Sequence, residues 1–171
     1  MDEMMRKALE EEFDAKSTRL SEMMQQMPEM EAAYKQYEAA VRAYTVKDAE
    51  IALKDEEEEV KRMDVHCQKA QGSLNAALQT GDPTRIAQCK QMREDEHLAL
   101  DLAQRRLQEA KSHYEAVLAQ QGFADEEAYR AAFLAKPAFL KLEKKVQPFR
   151  KEYAELLVRC EEIEKLLSEE E

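Results

Sequence analysis

Histidine and cysteine are the residues of this chain whose chemistry could hold a metal ion. His66 and Cys67 are adjacent, and Cys89 lies on the next predicted helix. A closed zinc site needs about four such ligands, often from Cys-x-x-Cys pairs. No Cys-x-x-Cys occurs here, and adjacent residues on a helix point about 100° apart. The sequence therefore predicts no metal and no other cofactor, with Cys67 and Cys89 as small core residues and His66, His97 and His113 as solvated ones.

The carboxylates and the glycines do not form a catalytic pattern either. The run Asp55–Glu59 and the end Glu169–Glu171 are acidic, but consecutive residues on a helix spread around its circumference, so their carboxylates do not converge. A phosphate-binding loop needs clustered glycines before a Lys, whereas Gly72, Gly81 and Gly122 stand alone. No serine stands in a nucleophile elbow. We therefore expect no catalytic residue and no enzyme activity in this segment.

Composition favours long helices. Of 171 residues, 37% are charged and 44% hydrophobic, with three Gly, four Pro and no Trp, which is typical of coiled coils. The formal net charge of -11 repels a phosphate backbone, so we expect no direct binding of nucleic acid.

The expected location is the cytoplasm. The N-terminus lacks the pattern of a signal peptide, no apolar run approaches the ~20 residues of a membrane span, and three widely spaced cysteines fit reduced thiols.

The spacing of apolar residues predicts an all-α fold. Steps of three and four residues recur along most of the chain. Pro28 stands where a helix could start or bend, the apolar register shifts near Thr45, and Pro148 predicts a kink or a helix restart. The pattern predicts one helical coiled-coil segment over residues 1–171, with helices over about 3–27, 29–78, 84–120, 125–135 and 138–168.

A sharp turn at residues 79–83 predicts a long antiparallel coiled-coil hairpin. Gly81 is suited to cap the first helix, Asp82 to cap the next, and Pro83 to begin it. A connection this short returns the chain antiparallel. The two helices are predicted to pack along a seam that includes Leu53, Val60, Met63, Leu74, Leu100, Leu107, Tyr114 and Val117.

A second break, residues 122–135, is called here the knuckle. Gly122 can take the positive φ that ends a helix, and Asp125 is suited to cap the short helix that follows. Phe123, Tyr129 and Phe133 place three aromatic residues close together. The predicted knuckle is therefore a helical corner with a small aromatic core, made by Gly122, Phe123, Asp125, Tyr129 and Phe133.

The segment from residue 84 to residue 168 resembles the coiled-coil region of SbcC. A heptad helix there runs into Gly-Phe-Ala-Asp-Glu-Glu-Ala-Tyr, and a second heptad helix follows. SbcC is the SMC-like ATPase subunit of the bacterial SbcCD nuclease. The resemblance implies a structural role in DNA repair and recombination, as a rod that links an ATPase head to a distant apex in a longer protein.

The same resemblance limits what can be transferred to this chain. The family's apical zinc hook needs a Cys-x-x-Cys, which is absent here, and no residue carries its ATP chemistry. Partners implied by the resemblance are coiled-coil helices of the same chain or of a second copy, with an SbcD-like nuclease and DNA reached only through the parent complex.

A different class of function stays open from the sequence. The first helix carries a stripe rich in methionine, at Met4, Met5, Met23, Met24 and Met27. Unbranched Met packs adaptably against varied partners. The alternative is therefore a free-standing helical adaptor or chaperone that binds partner helices through this stripe. A compact bundle is the alternative to the extended rod.

Overall fold

The computed structural model describes residues 1–169, which form helices and no strand. The elements are α1 (Glu3–Thr80), α2 (Pro83–Gln120), α3 (Glu126–Ala132) and α4 (Lys136–Ser168). The prediction of an all-α fold is confirmed. Glu170 and Glu171, part of the acidic end noted above, lie outside the described residues. Over the described range, no helix has a stretch apolar and long enough to span a membrane.

The helix boundary predicted at Pro28 is wrong, whereas the single helix predicted through Pro148 is present. α1 runs without interruption through Pro28, and α4 runs through Pro148. An interior proline costs a helix about 3 kcal/mol, but buried residues flank both prolines, Met23 and Met30 on α1 and Val146 on α4. Because most helix stability in proteins comes from packing, these anchored turns carry the helix past each proline. α3 is also shorter than the predicted 125–135.

The chain divides into two compact units. Unit 1 combines Met1–Val41 with the residues from Ala132 onward, and unit 2 is Arg42–Ala131. α1 contributes its first half to unit 1 and its second half to unit 2. The register shift predicted near Thr45 falls close to the point where α1 passes from one unit to the other.

Unit 1 is a pair of antiparallel helices, the first half of α1 and α4. Arg159 forms a two-pronged contact with Glu12 at 2.7 and 3.1 Å, and Arg19 forms one with Glu152 at 2.8 and 3.1 Å. Arg19 comes after Glu12 on α1, whereas its partner Glu152 comes before Arg159 on α4. The two helices therefore run in opposite directions. The core includes Met23, Ala40, Val146, Cys160 and Ile163.

Unit 2 contains the second half of α1, α2 and α3. The turn between α1 and α2 matches its prediction: Gly81 has a φ of 70°, Asp82 accepts a hydrogen bond from the Thr84 amide at 3.1 Å, and Pro83 begins α2. The core of this unit includes Cys67, Ala70, Leu74, Ala77, Ala103, Tyr114, Val117 and Leu118.

Candidate functional site

The predicted seam residues all lie at positions shielded from solvent in unit 2. Leu74, Tyr114 and Val117 are buried. The other five are half-buried, namely Leu53, Val60, Met63, Leu100 and Leu107. The sequence spacing therefore selects the protected positions on both helices.

The candidate metal ligands lie on α1 and α2 of unit 2. The Cys67 thiol donates to the Glu96 carbonyl at 3.2 Å, and burial raises the pKa of Cys67, with nearby carboxylates adding to the effect. His66 Nδ1 lies 3.7 Å from Glu96 Oε2. Cys89 is half-buried. Within residues 1–169, no three His, Cys, Asp or Glu side chains come together as a metal site would require.

The knuckle begins with a well-formed cap at the end of α2. Gly122 has a φ of 79°, and its amide donates to the Ala119 carbonyl at 3.0 Å. The Phe123 amide donates to the Leu118 carbonyl, also at 3.0 Å. These two bonds define a Schellman motif, which satisfies the last carbonyls of a helix and places a hydrophobic residue just after it. Phe123 and Leu118 are both buried, and a hydrophobic contact between these two positions often accompanies the motif.

α3 packs an aromatic residue back onto this cap. Asp125 accepts a hydrogen bond from the Ala128 amide at 2.7 Å and so caps α3 as predicted. Tyr129 of α3 is buried and meets Phe123 edge to face, with ring centres 6.1 Å apart. Phe133, the third aromatic residue of the predicted core, is half-buried and belongs to unit 1.

Arg42 of α1 holds the same turn from the opposite side, and sequence reasoning missed it. Its Nη1 donates to the Gln121 carbonyl at 2.6 Å, and its guanidinium carbon lies 5.3 Å from the centre of the Phe123 ring. A Cβ on Gly122 would approach Nη1 to 3.1 Å. Since 79 residues separate Arg42 from Gln121, no local pattern could have signalled the contact.

Glu50 is the buried acidic residue of unit 2, with only 5% of its surface exposed. Its Oε1 accepts from Lys47 Nζ at 3.1 Å and from Lys54 Nζ at 3.2 Å. Burial alone would raise the pKa of Glu50, but the hydrogen bonds from these two lysines outweigh it and hold the pKa below its ordinary value. A carboxylate that stays ionised in a buried place needs such partners.

Two buried tyrosines complete this cluster. Burial raises the pKa of Tyr129, and the charge of Glu50 and a hydrogen bond to its carboxylate raise it further. The Tyr114 hydroxyl lies 3.3 Å from Glu126 Oε1; burial, then the charges of Glu126 and Glu50, raise the pKa of Tyr114 to about 12. Glu50 of α1 and Tyr114 of α2 thus contact two polar side chains of α3, those of Tyr129 and Glu126.

The cluster can hold a turn in place, and its contacts join three helices. α1 supplies Arg42 and Glu50, α2 supplies Tyr114, and α3 supplies Glu126 and Tyr129. The tyrosines stay protonated and Glu50 stays charged around neutral pH, so each group keeps the hydrogen-bonding form that the contact needs. We name Arg42, Glu50, Tyr114, Phe123 and Tyr129 the knuckle clamp.

The methionine-rich stripe of the first helix divides in two. Met23 is buried and Met27 half-buried in unit 1, whereas Met4, Met5 and Met24 are exposed, Met4 by 81%. A surface groove of about 560 Å³ beside Met27 is lined mainly by apolar and aromatic side chains, including Met30, Tyr34, Phe149, Tyr153 and Leu157. Arg150 lies over the Tyr34 ring at 3.7 Å in the same groove.

Fold and site together define an all-α protein in which one long helix is shared by two helical units and clamps a structured corner. Comparisons with protein-family models, with curated proteins and with solved structures found no match.

Proposed function

We propose that this chain is a structural coiled-coil segment of an SbcC-like subunit, as its sequence pattern suggests. In this proposal α1 and α2 of unit 2 form a long antiparallel coiled-coil hairpin along the seam. The segment has no catalytic role and holds no cofactor. It acts in the cytoplasm and links an ATPase head to an apex, and it reaches DNA and an SbcD-like nuclease only through the parent complex.

The observation that carries the proposal is the knuckle clamp. A segment that transmits force needs fixed corners. Here the corner between α2 and α3 is held by the Arg42 guanidinium over the Phe123 ring, by a hydrogen bond from Arg42 to the Gln121 carbonyl, and by a part-buried hydrogen bond between Tyr114 and Glu126. The clamp uses its buried polar groups to fix a geometry. That use fits a mechanical element, because hydrogen-bonded polar groups in a buried place favour one arrangement of the helices.

Purification of the native protein under its own promoter tests this function. We expect an SbcD-like nuclease to co-purify in stoichiometric amount, as measured by quantitative mass spectrometry. In the purified complex, Arg42→Ala with Glu50→Ala should lower ATP-dependent nuclease activity, while the exposed change Lys69→Ala should leave it unchanged. A preparation without any nuclease subunit would contradict the proposal.

The second candidate is the free-standing helical adaptor, and the exposed methionines favour it. Met4, Met5 and Met24 offer an unpaired, adaptable apolar surface. The two candidates differ in the size of the native product, which an immunoblot of the source cells measures. A band well above the 19.8 kDa of this chain supports the SbcC-like subunit, and a band at that mass supports the adaptor.

A further inference from the structure

Helix α4 carries charge of two signs, separated along its length. Residues 136–151 contain six basic residues and one acidic residue, whereas residues 152–169 contain six acidic residues and two basic ones. The helix therefore has a basic first half and an acidic second half. Such a helix is complementary to a second copy of itself laid in the opposite direction.

The face concerned is the one turned away from α1. The side of α4 that packs on α1 includes Val146, Cys160 and Ile163, all buried. Since successive residues turn by about 100°, a second stripe at steps of three and four lies opposite to it. That outer stripe consists of Leu140, Lys144, Pro148, Lys151, Glu155, Val158, Glu162 and Leu166, and each of them is exposed.

Three large apolar side chains of this stripe are in water although α4 has a core side of its own. Leu140 is 39% exposed, Val158 56% and Leu166 41%. Lys144, Lys151 and Glu155 form no ion pair with any other described residue, and Glu162 is engaged only by Arg159 of its own helix at 3.2 Å. The stripe therefore has exposed apolar surface and charged side chains that are available for contact with a partner.

We propose that α4 pairs through this outer stripe with α4 of a second copy of the chain. The two helices run antiparallel, and the twofold axis between them crosses the stripe at the level of residue 153. Residues at equal sequence distances before and after Tyr153 then meet. Lys151 faces Glu155 of the second copy, and Lys144 faces its Glu162. The remaining pairs are Leu140 with Leu166 and Pro148 with Val158. Apolar residues therefore contact apolar residues, and each lysine faces a glutamate.

The charges also select the direction of pairing. A parallel pair would place Lys144 beside Lys144 and Glu162 beside Glu162, which costs free energy at every charged layer. The antiparallel pair turns each of these layers into an attraction. A twofold interface uses one surface patch on both subunits and must be self-complementary, a condition that this stripe meets along its whole length. The inference rests on α4 alone and is independent of the proposed function.

Analytical ultracentrifugation of the full 171-residue chain tests the proposal. We expect a reversible dimer whose association weakens as NaCl is added, because exposed charge pairs are screened by salt. The variant Lys144→Glu with Lys151→Glu has an all-acidic stripe, and Glu155→Lys with Glu162→Lys has an all-basic one. Each variant alone should dimerise at least about tenfold more weakly than the native chain, and an equimolar mixture of the two should regain the dimer.

A matched control changes the same charge elsewhere. Lys69→Glu with Lys90→Glu alters two exposed lysines of unit 2 and should leave dimerisation unchanged. Far-ultraviolet circular dichroism checks that each variant keeps its helix content, and the salt dependence of the native chain serves as a second measurement. A native chain that stays monomeric at low salt and high concentration overturns the proposal, as does a dimer that survives both charge reversals or a mixture of folded variants that fails to pair.

Discussion

Two glycines of this chain respond in opposite ways to the same added methyl group. Gly122 has a φ of 79°, and a Cβ there would lie 3.1 Å from Arg42 Nη1. Gly72 lies inside α1, and a Cβ there meets no atom within 4 Å. We expect Gly122→Ala to destabilise the protein by about 1 kcal/mol or more, and Gly72→Ala to stabilise it by about 0.5–1 kcal/mol. Urea unfolding of the two variants measures both; equal effects would contradict the assigned cap.

The tyrosines of the knuckle clamp predict a loss of stability in alkali. The pKa of Tyr114 is raised to about 12 from 10.0, so the folded state holds that proton more tightly than the unfolded state does. The stabilisation is therefore complete below pH 10 and is lost as the pH rises toward 12. Tyr114→Phe should reduce this loss, as measured by the free energy of unfolding at pH 9 and at pH 11.5. An unchanged slope would show that Tyr114 titrates normally.

At this scale, local rules found the caps and the aromatic residues of the clamp but missed Arg42 and Glu50. Gly81, Asp82, Gly122 and Asp125 were predicted because turn and cap chemistry depends on residues only a few positions apart. Arg42 and Glu50 were not, since each looks like one more charged residue on a long helix. Their role depends on which distant segment packs beside them, and single-sequence spacing carries no such information.

Helix α2 shows how far periodicity reaches at the scale of one element. Leu107 occupies the predicted seam and is half-buried, whereas Leu102 lies outside the seam and is exposed. A glutamate at position 107 brings a charge toward the seam, so Leu107→Glu should cost about 2 kcal/mol or more, while Leu102→Glu should stay within about 0.5 kcal/mol. Thermal unfolding of the two variants compares them. Equal melting temperatures would place the seam elsewhere.

Periodicity did less well at prolines. Proline is a signal to end or bend a helix, and the sequence predicts a helix boundary at Pro28 that the structure does not have. Pro28 and Pro148 are both exposed. Buried residues of unit 1 lie on the neighbouring turns, Met23 and Met30 on α1 and Val146 on α4, so packing outweighs the missing hydrogen bond. The strength of that packing is a property of the pair of helices, and it cannot be read from one helix alone.

At the scale of the molecule, each unit has a buried core of its own. We therefore expect a destabilising substitution in one unit to leave the other unit folded. Phe123 is buried in unit 2, and Phe123→Ala should remove about 3–5 kcal/mol there. Hydrogen exchange followed by mass spectrometry should show faster exchange across residues 114–131, with protection kept in α4 and in residues 9–40 of α1. Leu98→Ala, at an exposed site, is the control. Equal loss of protection in all four helices would contradict the division into two units.

The division of α1 between the two units has a consequence for synthesis on the ribosome. Unit 2 is contiguous in sequence, so its helices can associate as soon as residue 131 has emerged. Residues 1–41 are made before unit 2, yet their partner α4 is made after it. At about 5–20 residues per second, the apolar side chains of the first half of α1 stay uncovered for several seconds after they leave the tunnel. Among residues 1–169, that first half is therefore the part that waits longest for its packing partner.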